Sequence, residues 1–201
     1  MKIVAKVISY LSHPLFVPIA GAGTYFITTP KYNPDGLQDS VLLPLFILTV
    51  IIPIIAYFIL RNIGIISGVF MPTLKERRYP LYIHITLLFI VVLKVVPFPY
   101  VPELYYFFLG LIAAAMTALI LLFLRQKVSQ HLMGMGSLFV FLVCLSIHFE
   151  KNSILAISLL VFSIGLVATS RLYLKAHSRT ELIIGFFVGL LSQTVMLKFW
   201  L

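Results

Sequence analysis

Charged residues are scarce in this chain: they make up 10% of its 201 residues, and only six of them are acidic. A soluble domain of this size would carry about 25% charged residues, so a soluble globular fold is excluded. The single cysteine, Cys144, has no second cysteine with which to form an internal disulfide. No stretch is long and polar enough for a separate soluble domain, and residues 1–201 are therefore predicted to form one integral-membrane domain.

Apolar residues, in contrast, account for 61% of the chain. Runs of about 20 such residues, the length that crosses a bilayer as a helix, recur along almost the whole sequence. The first run is interrupted by His13, Pro14 and Pro18, and it could be broken or re-entrant. The seven apolar segments are 7–28, 41–60, 80–98, 104–124, 131–149, 153–170 and 181–200. They predict an all-α polytopic transmembrane helical bundle with six to seven spans, in the cell (inner) membrane.

The net charge of +9 comes from basic residues in the short connections between the apolar segments. In such connections lysine and arginine set the orientation of the spans and contact lipid headgroups. The expected partners are therefore membrane lipids and not nucleic acids.

Three polar clusters interrupt the apolar pattern: the first is Lys75–Pro80, the second is Lys127–His131, and the third is Ser170–Glu181. Two predicted spans separate the first cluster from the second, and two more separate the second from the third. An even number of crossings returns the chain to the same side of the membrane. The sequence therefore predicts that all three clusters meet at one membrane surface.

The third cluster contains a histidine and a carboxylate at helical spacing. His177 and Glu181 are four residues apart at the start of the last apolar segment, so both can lie on one face of a helix. A histidine oriented by a carboxylate is typical of nucleophiles and general bases, and Arg171 offers a planar fork for phosphate oxygens. A simpler interpretation also fits, because Ser178–Glu181 is a capping box and basic side chains extend to headgroups.

The second cluster has the form of a helix start. Ser129 can cap a helix, and His131 would lie in its first turn, where unpaired backbone N–H groups favour an anion. Gly134 and Gly136 allow another helix to approach closely. A histidine at a helix end can equally be an interfacial residue, and basic residues before a proline, as in the first cluster, are commonplace.

The third cluster resembles a motif of a known family. Within Ser170–Glu181 the chain reads Ser-Arg, five residues, His, three residues and Glu, and two glycines follow in the next helix. This is similar to the third motif of the type 2 phosphatidic acid phosphatase superfamily, Ser-Arg-x5-His-x3-Asp. The residues Val128–His131 are similar to the family's Pro-Ser-Gly-His motif. The resemblance covers about residues 75–195, the phosphatase-like core.

The resemblance implies a role for each matched residue. His177 would be the nucleophile that forms a phosphohistidine, Glu181 would orient it, and His131 would protonate the leaving group. The phosphate-binding residues would be Arg171, Ser129, Lys75, Arg78 and Lys127. The resemblance implies no metal and no cofactor, since arginine, lysine and backbone amides supply the positive charge.

The chain departs from the family pattern in all three motifs. The single substitutions are Val128 for proline, Gln130 for glycine and Glu181 for aspartate. The family's first motif is Lys-x6-Arg-Pro, whereas Lys75–Pro80 reads Lys-x2-Arg-x-Pro. Lys127 or Arg125 would then have to replace a cation of that motif.

The expected function is that of a membrane lipid phosphatase, which hydrolyses a lipid phosphate or an isoprenyl (pyro)phosphate through a phosphohistidine. The alternatives are an enzyme that transfers phosphate between lipids, a catalytically inactive protein that binds or transports an anionic lipid headgroup, and a structural membrane subunit with basic loops. His13, His84 and His148 lie in or near predicted spans and are assigned to packing or interfacial hydrogen bonding.

Overall fold

The computed structural model describes residues 2–30, 36–68, 71 and 73–201. Every regular element in these ranges is helical, which confirms the all-α class. The α-helices are α1 (Lys2–Leu11), α2 (Val17–Thr28), α3 (Leu37–Phe46), α4 (Ile52–Asn62), α5 (Leu74–Lys94), α6 (Pro102–Phe123), α7 (Gln130–His148), α8 (Ile154–Tyr173) and α9 (Arg179–Leu197).

Six helical stretches of the described chain are long and apolar enough to cross a membrane. Two of them are composite. The stretch Lys2–Thr28 joins α1 to α2 through a 3₁₀ turn at Pro14–Phe16, and the stretch Leu37–Asn62 joins α3 to α4 through a π turn at Ile47–Ile51. The helices α6, α7, α8 and α9 are the other four. The chain is therefore an integral membrane protein by the length and composition of its helices.

The helix α5 is 21 residues long but is not among these six stretches. It begins at Leu74 because Thr73 caps it: the Thr73 Oγ1 atom accepts a hydrogen bond from the Glu76 N–H at 3.3 Å. The charged first cluster consequently lies inside the first turns of α5, whereas the sequence placed it in a connection ahead of a span starting at residue 80.

The first span is broken at His13 and Pro14, as its sequence indicated. The helix α1 ends at Leu11, and the His13 Nδ1 atom accepts the N–H of Leu15 at 3.3 Å. Pro14 has no N–H group and its ring disfavours a helical conformation for the residue before it. The His13 backbone is accordingly extended (φ −61°, ψ 137°), and the chain changes direction between α1 and α2.

The helix α7 lies at the centre of the bundle, since 67% of its span is buried, compared with 11% for α8. Its backbone touches that of α9 at Gly136 of α7 and at two glycines of α9. A Cβ atom on Gly185 would lie 2.5 Å from the Ser129 carbonyl oxygen, and one on Gly189 would collide with the Met133 carbonyl oxygen. Small residues at both positions therefore allow α7 and α9 to begin side by side, with the second and third clusters adjacent.

Candidate active site

A cavity of about 510 Å³ opens where α1, α4, α5, α7 and the end of α8 meet. Its cationic and histidine lining residues are Lys6, His13, Arg77, His84, His131, Arg171 and His177. No aspartate or glutamate is found among the described residues that line it. Residues from all three polar clusters thus reach one cavity, although α5, one of the two spans expected between the first and second clusters, is not among the six stretches that could cross a membrane. The absence of lining carboxylates favours an anionic ligand.

The best-defined polar contact at the cavity wall joins His177 to Glu181. The His177 Nδ1 atom lies 2.6 Å from Glu181 Oε2, and Ser178 Oγ accepts the N–H of Glu181 at 3.2 Å as the cap of α9. The capping and the pairing expected at this helix start therefore occur together. A carboxylate only accepts hydrogen bonds, so the His177 Nδ1 carries the proton and Nε2 carries the lone pair.

Burial lowers the pKa of His177 below its usual value, and the hydrogen bond with Glu181 opposes that shift. The imidazole is therefore neutral at pH 7, the state in which Nε2 is nucleophilic. Lys127 stabilises the loop that carries the histidine. Its Nζ donates to the Ala176 carbonyl oxygen at 2.8 Å and lies 3.6 Å from Glu181 Oε2. Lys127 thus supports the His177–Glu181 pair from behind and does not line the cavity.

Ser129 also supports the site from behind. The residue is completely buried, its Oγ accepts the N–H of Leu132 at 3.5 Å, and its own N–H donates to the Glu181 carbonyl oxygen at 3.1 Å. The side chain caps α7, as its position in the sequence indicated, and Ser129 is not among the lining residues. Its geometric effect is to join the first turn of α7 to the first turn of α9.

His131, in that first turn of α7, lines the cavity and is held from α1. Its Nε2 atom lies 3.0 Å from the Ser9 carbonyl oxygen, and a carbonyl oxygen can only accept. The His131 Nε2 therefore carries a proton, and Nδ1 is the nitrogen available for proton exchange. The first helix, more than a hundred residues earlier in the chain, thus fixes the orientation of this histidine.

Arg171, near the end of α8, and two other lining residues present buried polar atoms with no hydrogen-bond partner. These atoms are Arg171 Nε, Ser9 Oγ and Tyr57 Oη, each unpaired within the described part of the chain. Buried polar groups are almost always paired, and an unpaired one costs about 1–3 kcal/mol. These three atoms therefore carry a cost that the described part of the chain does not offset.

The structure places the first cluster differently from the sequence analysis. Lys75 is exposed, and Arg78 lies over the ring of Phe123 at 4.4 Å, so neither residue lines the cavity. Arg77, to which the motif pattern assigned no role, lines it instead. The reason is the helix: Arg77, Leu81 and His84 follow one another at spacings of four and three residues and share one face of α5. That spacing is the sequence pattern that could have identified Arg77.

His13 and His84 were also missed, because each is a single histidine in an apolar segment. The helical spacing that identifies Arg77 also identifies His84, because the two residues share one face of α5. His13 lies in the break between α1 and α2, and its ring meets that of His131 edge-on, with the centroids 5.5 Å apart. No local pattern connects residues 118 positions apart in the chain.

Comparison of the chain with protein-family models, with curated protein sequences and with solved structures found no match in any of the three. The resemblance to the type 2 phosphatidic acid phosphatase superfamily accordingly stays a prediction from the residues of the clusters themselves.

Proposed function

We propose that this protein is a membrane lipid phosphatase, acting in the cell (inner) membrane on a lipid phosphate or an isoprenyl (pyro)phosphate. The observation that carries the proposal is the His177–Glu181 pair, 2.6 Å apart, at the wall of a cavity whose described lining includes lysine, arginine and histidine but no carboxylate. A neutral, carboxylate-oriented imidazole in a cavity with half-buried guanidinium groups is the arrangement needed to attack phosphorus while its oxygens are neutralised.

In the first half-reaction His177 Nε2 attacks the phosphorus atom. An N–P bond forms, the P–O bond to the lipid breaks, and the lipid alkoxide takes a proton. His131 supplies that proton from Nδ1 after protonation there, since its Nε2–H remains bonded to the Ser9 carbonyl oxygen. The Arg77 and Arg171 side chains lie where they can neutralise the phosphoryl oxygens.

In the second half-reaction water attacks the phosphohistidine. The N–P bond breaks, inorganic phosphate leaves, and His177 Nε2 regains its lone pair. His131, now neutral at Nδ1, accepts a proton from the attacking water and so returns to the state in which it began the cycle. Glu181 holds the Nδ1–H of His177 through both steps and stabilises the positive charge of the imidazole during transfer.

The apolar side of the cavity is suited to a lipid. The lining residues that lack ionisable groups include Phe16, Ile54, Phe58 and Leu81, and the side chains of Ile54 and Phe58 are also exposed on the surface of α4. In a bilayer that surface faces acyl chains. A substrate could place its phosphate at Arg171 and its hydrocarbon chain between α1 and α4, without leaving the membrane.

The decisive experiment measures phosphate release from a panel of lipid phosphates by the detergent-solubilised protein. In His177→Asn the amide can still donate to Glu181, but Nε2 is lost. Hydrolysis should fall by more than about a thousand-fold. Arg179→Gln is the matched control, because Arg179 is an exposed cation two residues away that does not line the cavity.

Each outcome separates the candidates. Hydrolysis by the wild type that His177→Asn abolishes and Arg179→Gln preserves supports the phosphatase. Binding of lipid phosphate without hydrolysis would instead identify an inactive headgroup-binding or transport protein. Hydrolysis that survives His177→Asn would reject the phosphohistidine.

A further inference from the structure

We infer that His13, outside the phosphatase-like core, is a phosphate-binding residue that donates a hydrogen bond from Nε2 to a phosphoryl oxygen. The inference rests on the proposed function only in taking a phosphate group as the ligand. It assigns a substrate contact to the break between α1 and α2, a segment that none of the three polar clusters includes.

The hydrogen bond at Nδ1 determines which nitrogen of His13 carries the proton. The Leu15 N–H points at His13 Nδ1 at 3.3 Å, so Nδ1 must present its lone pair. The neutral ring then carries its proton on Nε2. Protonating Nδ1 would set two N–H groups against each other, and this opposes conversion of the ring to the cation. His13 is therefore a fixed hydrogen-bond donor at Nε2 and is not suited to be a general acid.

The position of His13 brings that donor to the ligand. His13 lines the same cavity as Arg171 and His177, and its ring meets His131 edge-on at 5.5 Å. No described residue forms a hydrogen bond with His13 Nε2. A donor in a cavity wall without lining carboxylates, next to the histidine proposed to protonate the leaving group, is matched to an anionic oxygen.

The surroundings hold the ring in place. Pro14 fixes the chain immediately after His13, and the extended backbone at His13 is that of a helix cap. The adjacent Ser9 carbonyl oxygen, one turn earlier in α1, holds His131. The break between α1 and α2 thus contributes two contacts to the site: one orients His131, and the other binds the phosphate group directly.

Two substitutions separate phosphate binding from capping. In His13→Asn, Oδ1 replaces Nδ1 as the acceptor for the Leu15 N–H, but no atom reaches the position of Nε2. In His13→Gln, the amide nitrogen can reach that position, but the capping acceptor is lost. The probes are orthophosphate binding to the full-length protein in detergent, and short-chain phosphatidic acid binding in a His177→Asn background, where no phosphohistidine can form.

We expect His13→Asn to weaken the binding of both probes about tenfold to a hundredfold, since one hydrogen bond to a charged group is lost. His13→Gln should bind both more tightly than His13→Asn, although its thermal stability is the lower of the two. Weakening of orthophosphate binding alone would assign the contact to a free phosphate or a soluble ester, and weakening of both probes would assign it to the lipid headgroup.

The inference is overturned if His13→Asn binds both probes as the wild type does, because His13 would then be a cap alone. It is also overturned if the wild type binds neither probe. A wild type that binds phosphate and loses affinity in His13→Asn, but hydrolyses no lipid phosphate, keeps this inference and rejects the proposed hydrolysis.

Discussion

Two carboxylate–histidine pairs lie in different parts of this protein, and their surroundings differ. His177 and Glu181 are 2.6 Å apart at the wall of the cavity. His148 and Glu103 are 3.3 Å apart, at the end of α7 and the start of α6. His148 follows His131 by 17 residues on α7, which is about 25 Å along the helix axis. The same pair of residue types therefore occurs near both ends of the central helix.

The carboxylate of the second pair, Glu103, is enclosed by other protein groups. The Tyr25 hydroxyl donates to Glu103 Oε2 at 3.2 Å, and the His148 ring packs against the rings of Phe149 and Trp200. Glu103 is 2% exposed, and neither partner lines the cavity. This pair joins α2, α6 and α7. The comparison indicates that an adjacent cavity lined with cationic groups, more than the pair itself, gives His177 and Glu181 their proposed chemistry.

The largest expected effect is on the rate of phosphate release, which should depend on Glu181 and not on Glu103. Glu181→Gln removes the charge that stabilises the His177 imidazolium, and we expect kcat for phosphate release to fall about 100-fold to 10,000-fold. KM should change little, because Glu181 acts through His177 and does not touch the substrate. Glu103→Gln should leave kcat per folded molecule near that of the wild type. Equal losses in the two variants would contradict the distinction.

The free energy of unfolding should depend more on Glu103 than on Glu181, the reverse of the order for activity. Glu103→Ala leaves the buried Tyr25 hydroxyl and His148 without their acceptor, and we expect a loss of about 3 kcal/mol. Glu181 is 25% exposed in its side chain, so its interactions are partly screened by water, and Glu181→Ala should cost about 1 kcal/mol. Thermal unfolding of the two variants in one detergent measures both. A larger loss for Glu181→Ala would mean that the cavity pair also holds the bundle together.

The third expected effect concerns the contact between α7 and α9. A Cβ on Gly185 would lie 2.5 Å from the Ser129 carbonyl oxygen, so Gly185→Ala must move the starts of the two helices apart. Displacing His177 from His131 by a fraction of an ångström should lower kcat/KM about tenfold to a hundredfold. The matched control is Gly165→Ala in α8, where a Cβ meets no atom within 4 Å. Unchanged activity in Gly185→Ala would show that the site tolerates this displacement.

The helical class and the positions of most spans could be predicted because they depend on local composition. The break at His13 and Pro14 was also visible, since proline acts on its immediate neighbours. The start of α5 was not, because the cap at Thr73 lies before a charged segment that resembles a loop. An error of one residue in helical register turns a side chain by about 100°. Such an error is enough to select Arg78 as the residue that faces the cavity in place of Arg77.

The site was only partly predictable for the same reason. The His177–Glu181 contact lies within one helical turn, so its spacing alone indicates it. The contacts of His131 with Ser9 and His13 join residues more than a hundred positions apart, and they follow from how α1 packs against the rest of the bundle. Single histidines in apolar segments give no local indication of such packing.

The smallest expected effect is on the pH dependence of hydrolysis. The nearby Lys127 cation lowers the pKa of His177, although burial is the larger cause. Lys127→Met removes that cation, so the pKa of His177 should rise. Protonated His177 cannot attack phosphorus, and the acid limb of the kcat/KM profile should therefore move to higher pH by about one unit or less. Lys151→Met is the control, because Lys151 follows α7 near the Glu103 pair and does not line the cavity. With one substrate throughout, the substrate's own ionisation cancels between variants. A shift of the acid limb to lower pH in Lys127→Met would mean that Lys127 acts on His177 mainly by holding Glu181 in place, because Glu181 raises the pKa of His177.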